Sequence, residues 1–314
     1  MGDNIKDLAS ITLSGHPGFL EPEQEKALEI FKVNLENAKL FTPSTDGSDA
    51  SVDDDTLLRF LRARRFDPVK AQKQFADAQA WREENDAEAL YANFDHEEFE
   101  HAKQFYPRWT GRRDKRGIPV YVYHLASLSG TKYKELQAVS PQRRHERIVA
   151  LWEFMSRFTA PLCTHLPHST PTPISSVTSI IDFSGCSIGT LWSLRSHLQQ
   201  ASTIANANYP ETLNTIAVVN APSFFNTVWG WIKNWFDEGT RHKVHVLGSD
   251  PGSTLRDLID PEDLPKVYGG KLDFKFEDEP NLDDHAKEAL GGDQVPKGPV
   301  LFINGRVVRP EIQT

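Results

Sequence analysis

The chain has 314 residues, of which 39% are hydrophobic and 10% aromatic, enough to build a packed core and to exclude global disorder. With 35 Lys and Arg against 44 Asp and Glu, the net charge of −9 argues against a general nucleic-acid binder, although a local basic patch could still act. Two cysteines, Cys163 and Cys186, make neither a disulfide framework nor a zinc site, which fits a reducing, cytoplasmic compartment.

The opening MGDNIKDLAS lacks the basic and apolar regions of a secretory signal. Met1-Gly2 resembles a myristoylation start, but Lys6 stands where Ser or Thr is wanted. No apolar run approaches the roughly 18–20 residues needed to cross a bilayer, so any membrane contact is expected to be peripheral. Residues 21–40 carry apolar positions at helical spacing, among them Leu28, Phe31, Val33 and Leu35. An acidic loop, TPSTDGSDASVDDD, then leads into the helix TLLRFLRARRF, which Asp67-Pro68 breaks. A second helix is expected from Val69 to Asn85.

The pattern changes at RRDKRGIPVYVYHL, where Lys115-Arg116-Gly117 turns into a strand over Val120–His124. Ser140-Pro141 opens a helix. A strand over 176–183, a glycine turn, a helix to about Ala207, a strand over 215–219, an aromatic helix over 222–239 and a strand over 243–248 follow. Such alternation predicts an α/β domain with a mostly parallel sheet. Residues 273–293 hold eight acidic and two basic residues, and LFINGRVV reads as an Asn-Gly hairpin.

Several stretches raise the question of chemistry. Gly185-Cys186-Ser187-Ile188-Gly189 matches the G-x-S-x-G elbow of a serine hydrolase, and Asp250 or Asp260 with His285 would complete the order of a triad. Against this, no oxyanion sequence precedes it and His285 lies in the acidic tail, so a Gly-Ser turn is the weightier reading. His165/His168 and His242/His245 lack the company of Cys or carboxylates that a metal would need, and no glycine-rich phosphate loop occurs. Two basic runs, Arg59–Lys70 and Arg108–Arg116, are either solvated faces or contacts for phosphates of a lipid surface. Phe224, Phe225, Val228, Trp229, Ile232, Trp235 and Phe236 share one helical side, from which Trp231 falls off; the stripe suits a core or a membrane interface. A single carboxylate, Glu211, sits after Tyr-Pro at the mouth of the strand over 215–219, where a solvated turn is the plain explanation.

Taken together, TLLRFLRARRFDPVKAQKQFADAQAWR, FYPRWTGRRDKRGIPVYV, IIDFSGCSIGTLWS, ASTIANANYPETLNTIAVVNAPSFF and LIDPEDLPKVYGGKL resemble the CRAL-TRIO family, and within it the phosphatidylinositol transfer proteins, over residues 20–272. The resemblance implies a helical N-terminal module packed on an α/β lipid-binding domain with one deep apolar pocket, gated by the helix after the NAP segment. It divides the chain into an N-terminal region (1–52), a helical module (53–105), the lipid domain (106–272) and an acidic C-terminal extension (273–314). It also implies an inositol-phosphate site at Arg64, Glu211, Thr240 and Lys243, with Glu211 holding Lys243 in place. Around a second ligand, Tyr121 matches the set that would hold phosphatidylcholine, whereas Thr110, Phe154, Val177 and Ser179 depart from it. A sterol or other neutral lipid therefore suits that wall better than a buried phosphate. The implied protein is not an enzyme, needs no cofactor or metal, and acts as a cytoplasmic monomer. It would meet membrane surfaces transiently and exchange phospholipid or present it to lipid kinases, without nucleic-acid partners.

Overall fold

The computed structural model describes residues 13–236, 238–247 and 250–311. The Met1-Gly2 pair and Gly248 lie outside the described residues. Helix α1 (Pro22–Asn37) starts at a capping box, in which the Gln24 side chain accepts from the Glu21 backbone at 3.0 Å. It buries Leu28, Phe31 and Leu35, while Val33, expected on the same side, is 53% exposed. Asp53 caps α2 (Asp54–Ala63) by accepting from Thr56 N at 2.7 Å, and Asp67 caps α3 (Pro68–Glu84). The three helices close on Phe75, which meets Phe31 and Phe60 edge-on at 6.1 and 5.0 Å. Short helices α4 (Ala87–Ala92) and α5 (His96–Ala102) lead to the sheet.

Five strands run in sequence order: β1 (Arg108–Arg113), β2 (Pro119–His124), β3 (Val177–Asp182), β4 (Leu213–Val219) and β5 (Val244–Val246). The first pair is antiparallel and the other three are parallel. The register aligns Tyr121, Ser179, Ile216 and Val244 on one face, because side chains alternate along a strand. Between β2 and β3 come α6 (Gly130–Ala138), α7 (Pro141–Phe154) and α8 (Ala160–His165); α9 (Ile188–Asn208) joins β3 to β4.

The aromatic segment differs from the single helix expected. It forms α10 (Phe225–Ile232), a tight 3₁₀ turn (Lys233–Trp235), extended Phe236, and then α11 (Glu238–His242). The Trp235 carbonyl is turned out to accept from Ser202 Oγ at 3.1 Å and Asn206 Nδ2 at 2.7 Å, so side chains of α9 replace the helical ladder there. The last elements are α12 (Gly252–Leu258), α13 (Asp284–Leu290) and the hairpin β6 (Leu301–Ile303) and β7 (Arg306–Val308), turned at Asn304-Gly305 with φ of 51° and 75°.

The acidic stretch lies against β1. Asn281 N donates to Thr110 O at 2.8 Å, and a Cβ on Gly111 (φ 86°) would come within 2.5 Å of the Asn281 backbone, which only glycine tolerates. This contact settles the basic run over 108–116. Arg113 pairs with Asp283 at 2.9 Å, Arg112 with Asp263 at 3.2 Å and Asn281 at 2.7 Å, and Arg116 with Asp114 at 2.6 Å. Lys115 donates to Arg256 O at 2.7 Å. The run is thus occupied by partners within the chain, and Arg116, which borders the polar recess at the strand starts, is held by Asp114.

Candidate functional site

An apolar cavity of about 300 Å³ lies between the sheet, α7, α9 and the aromatic segment. Its floor is the face that carries Tyr121, Tyr123, Val177, Ser179, Ile216 and Val218. Of the five residues expected around a second ligand, Tyr121, Val177 and Ser179 line it. Thr110 and Phe154 are not among its lining residues. The fully buried Thr110 follows a residue paired with Tyr121, so it points to the other side, and its hydroxyl donates to Val120 O at 3.0 Å. Phe154 stacks on Phe158 at 4.9 Å and meets Phe99 edge-on at 5.6 Å, within the second core cluster. A π-helical turn over Met155–Thr159 begins there, and Met155 supplies the lining side chain instead.

The aromatic segment closes the cavity. Phe225 packs edge-on against Phe183 at 5.2 Å, and Val228, Trp229, Ile232, Trp235 and Phe236 also line the wall. Phe224 precedes α10 and packs against the core without reaching the cavity lining. Trp231, which helical spacing sets aside, both lines the cavity and is 44% exposed; it meets Trp192 of α9 edge-on at 5.8 Å. Trp192 is itself 55% exposed and carries the Arg195 guanidinium over its ring at 4.2 Å. Sequence reasoning missed this rim. The signal was Ile188 and Trp192 one turn apart on α9, both exposed.

A polar recess of about 550 Å³ opens at the beginnings of β3, β4 and β5. Glu211 stands there with φ of 61°, an uncommon conformation for a residue with a side chain, in a turn that Thr212 Oγ1 braces by donating to Tyr209 O at 2.8 Å. Lys243 Nζ donates to Glu211 Oε2 at 2.8 Å and to Leu213 O at 2.8 Å. The expected pairing of Glu211 with Lys243 is therefore present. Thr240, buried in the middle of α11, is not among the recess's lining residues; it lies one turn before Lys243, and its carbonyl accepts from the Lys243 backbone N–H at 3.1 Å.

Arg64 is not brought to the recess. Its Nη1 donates to Ala63 O at 2.9 Å, and the side chain lines a separate open cleft of about 1350 Å³ beside α3 and α9. Arg62 lines the recess instead, with its Nη1 on Gly15 O at 3.0 Å. His16 and His242 also border it, and Glu211 is the sole carboxylate among its described lining residues. Burial, reinforced by Arg62 and Lys243, pulls the His16 imidazole down to about 4, so it is neutral at pH 7. Arg62 was legible within the RARR run. His16 was not, because only the fold brings residues 14–16 beside β4. Leu213 borders both the recess and the apolar cavity.

Ser187 has another task. Its Oγ accepts from Thr190 N at 3.0 Å and lies 2.9 Å from Thr190 Oγ1, which makes it the cap of α9. His285 is exposed on α13, and no histidine bonds to Ser187 among the described residues. No cluster suited to a metal occurs among the described residues either.

A helical module on a mixed sheet, with an apolar cavity under an aromatic helix and a charged recess at the strand starts, defines an α/β domain built to enclose apolar matter. The chain belongs to the CRAL/TRIO family. The family model for the CRAL/TRIO domain matches residues 103–270, and that for the CRAL/TRIO N-terminal domain matches residues 24–77. The Sec14 cytosolic factor of Schizosaccharomyces pombe is 32% identical over 256 residues, covering 82% of this chain and 85% of that protein. The phosphatidylinositol/phosphatidylcholine transfer protein SFH9 of Arabidopsis thaliana is 33% identical over 251 residues, covering 80% of this chain and 42% of that protein. The crystal structure of Sfh5 matches with a TM-score of 0.59 at 20% identity, over 82% of this chain and 90% of that one, a likeness of fold alone.

Proposed function

We propose that the protein binds phosphatidylinositol and moves it between membranes, or presents it to lipid kinases, and that a second hydrophobic ligand exchanges through the same gated cavity. The observation that carries this reading is the Glu211–Lys243 pair in a recess that shares Leu213 with the apolar cavity. A lipid could hold its phosphate against Lys243 and Arg62 by charge-assisted hydrogen bonds while its chains pass Leu213. The names of the relatives, a Sec14 cytosolic factor and a phosphatidylinositol/phosphatidylcholine transfer protein, support the same substrate class.

A cavity of about 300 Å³ is at the small end for ligand pockets, so loading two acyl chains requires the aromatic segment to move out. Its exposed Trp231 and the neighbouring Trp192 would then meet the headgroup region, where indole rings are favoured. Each methylene leaving the bilayer loses about 0.8 kcal/mol and recovers a similar amount in the cavity, so exchange is nearly balanced. No bond is made or broken, and the protein is a non-enzymatic carrier that works as a cytoplasmic monomer and touches membranes transiently.

The test is mass spectrometry of lipids that co-purify with the protein, joined to transfer of labelled phosphatidylinositol between vesicles. Co-purified phosphatidylinositol with measurable transfer is expected. Binding without transfer would make the protein a sensor, and neither would remove phosphatidylinositol from its function.

A further inference from the structure

The apolar cavity contains few polar groups, and nearly all of them are occupied. The Tyr106 hydroxyl donates to Arg144 O at 3.3 Å, that of Tyr121 to Thr159 Oγ1 at 3.3 Å and that of Tyr123 to Phe105 O at 3.0 Å. Ser202 and Asn206 both donate to Trp235 O. His197 of α9 is different. It is 4% exposed, and neither ring nitrogen has a hydrogen-bond partner. Its ring lies tilted on Tyr106 at 5.0 Å, in the wall between the apolar cavity and the open cleft beside α3. Leaving such a group unpaired in the interior is costly, and native structures seldom do so without a reason.

We infer that His197 is the polar anchor of the apolar cavity, and that it selects as second ligand a neutral lipid bearing a hydroxyl: a sterol, a diacylglycerol or a long-chain alcohol. The inference rests on the carrier reading above and names the ligand class of the same cavity.

The chemistry follows from the state of the ring. Burial is the largest influence on the His197 imidazole and brings it down to about 4; the nearby Phe105 carbonyl opposes the shift and Arg144 adds to it. At neutral pH the ring is uncharged, with one N–H donor and one acceptor nitrogen. A hydroxyl both donates and accepts, so it can satisfy either nitrogen whichever tautomer is present. A phosphodiester only accepts and carries charge, and in a dry site it needs cationic donors that a neutral imidazole does not supply. Two cations border this wall and both are engaged: Arg144 donates to Gln137 Oε1 at 3.0 Å, and Arg195 is exposed at the rim, with its Nη1 on Trp192 O at 2.7 Å and its plane over the Trp192 ring. A quaternary ammonium gains nothing from the imidazole either. Ser179, on the same lining, adds a second small hydroxyl without adding charge.

The experiment loads the full chain from phosphatidylcholine–phosphatidylinositol vesicles doped with matched pairs: a sterol and its 3-deoxy analogue, or a long-chain alcohol and the alkane of equal length. A further vesicle contains diacylglycerol. Retained lipids are quantified by mass spectrometry for the wild type, His197→Leu and His197→Gln. The wild type should prefer the hydroxylated member of each pair by about tenfold, the effect of one buried hydrogen bond. The preference should fall to about one in His197→Leu and be largely kept in His197→Gln, whose amide also donates and accepts. The arm with the highest retention identifies the source of the hydroxyl. Equal retention in the wild type, with water satisfying the ring, would overturn the inference, as would a preference that survives in His197→Leu. If the leucine variant fails to fold, the wild-type ratio together with the glutamine variant decides the matter. Phosphatidylinositol is measured in the same extracts. Hydroxyl selectivity in a chain that retains no phosphatidylinositol would defeat the carrier reading and leave this inference standing.

Discussion

The recess and the cavity lie along the same strands, yet they are built on opposite rules. In the recess, charges compensate one another: Lys243 sits on Glu211, and Arg62 is tied to a carbonyl of the chain before α1. In the cavity, the tyrosine hydroxyls are all compensated, while among the described fully buried polar atoms of the lining those of the His197 ring are not. Strand β4 links the two, with Glu211 before its first residue, Leu213 shared, and Ile216 and Val218 in the apolar wall. A lipid has the same division. The comparison teaches that headgroup and tail are read by different physics, charge-assisted hydrogen bonding at one end and shape with solvent exclusion at the other.

The sharpest way to separate the two regions is Glu211→Ala with Lys243→Ala. Each charge-assisted bond is worth roughly 1.5–3 kcal/mol, so phosphatidylinositol transfer between vesicles should fall more than a hundredfold while lipids anchored only in the cavity are still retained. Full retention of phosphatidylinositol transfer would remove the recess from the headgroup site. A smaller effect distinguishes two neighbouring arginines. Arg62→Ala should weaken phosphatidylinositol binding by about tenfold and Arg64→Ala by less, because Arg62 lines the recess and Arg64 the outer cleft. The reverse order, in variants with unchanged thermal stability, would restore Arg64 to the headgroup.

Each region also contains a histidine that burial keeps neutral, His16 and His197, both lowered from 6.5 to about 4. The unfolded chain therefore binds more protons between those values. Stability from this source is fully present above pH 6.5 and is lost as the pH falls towards 4, at no more than about 1.4 kcal/mol per pH unit for each ring. His16 is the more solvated of the two and should contribute less. Denaturant unfolding from pH 7 to 4.5 should show a flatter profile for His197→Phe than for the wild type, and a profile of equal slope would contradict the burial argument. The smallest change concerns the gate. Trp229→Ala with Phe225→Ala should slow transfer about threefold more than it lowers equilibrium loading, since lid motion governs exchange rather than affinity. Stopped-flow transfer beside equilibrium loading measures this, and equal losses in both would make the segment a fixed wall.

How much of this was legible beforehand follows from the range of each interaction. The capped helices of the first hundred residues, the parallel strands and the Asn-Gly hairpin could be read in the chain, because turn chemistry, helix caps and hydrophobic period act over a few residues, whereas the pairing of Glu211 with Lys243, 32 residues apart, came only through the family resemblance. The helical spacing of the aromatic segment was legible too, but not its break at Lys233, which side chains of α9 impose on the Trp235 carbonyl. Thr110 and Phe154 fall outside the cavity lining because of their neighbours in the fold: Trp109 pairs with Tyr121 and so turns Thr110 to the other face, and Phe154 stacks with Phe158 and meets Phe99 edge-on.

The sequence by itself determined the family, the α/β alternation and the presence of one apolar and one charged region. Only the tertiary structure decided which charges are available and which are used. The basic run over 108–116 reads as one patch, yet the fold gives each arginine its own carboxylate: Arg108 meets Glu279 and Arg113 meets Asp283 in the acidic stretch after residue 272, Arg112 meets Asp263 and Arg116 meets Asp114. His16 reaches the recess from outside the sheet, and His197 is left without a partner because the tyrosines around it bond elsewhere. Local sequence encodes the propensity of each segment. Electrostatic compensation and burial are sums over everything a side chain meets in space, and those sums exist only once the chain is packed.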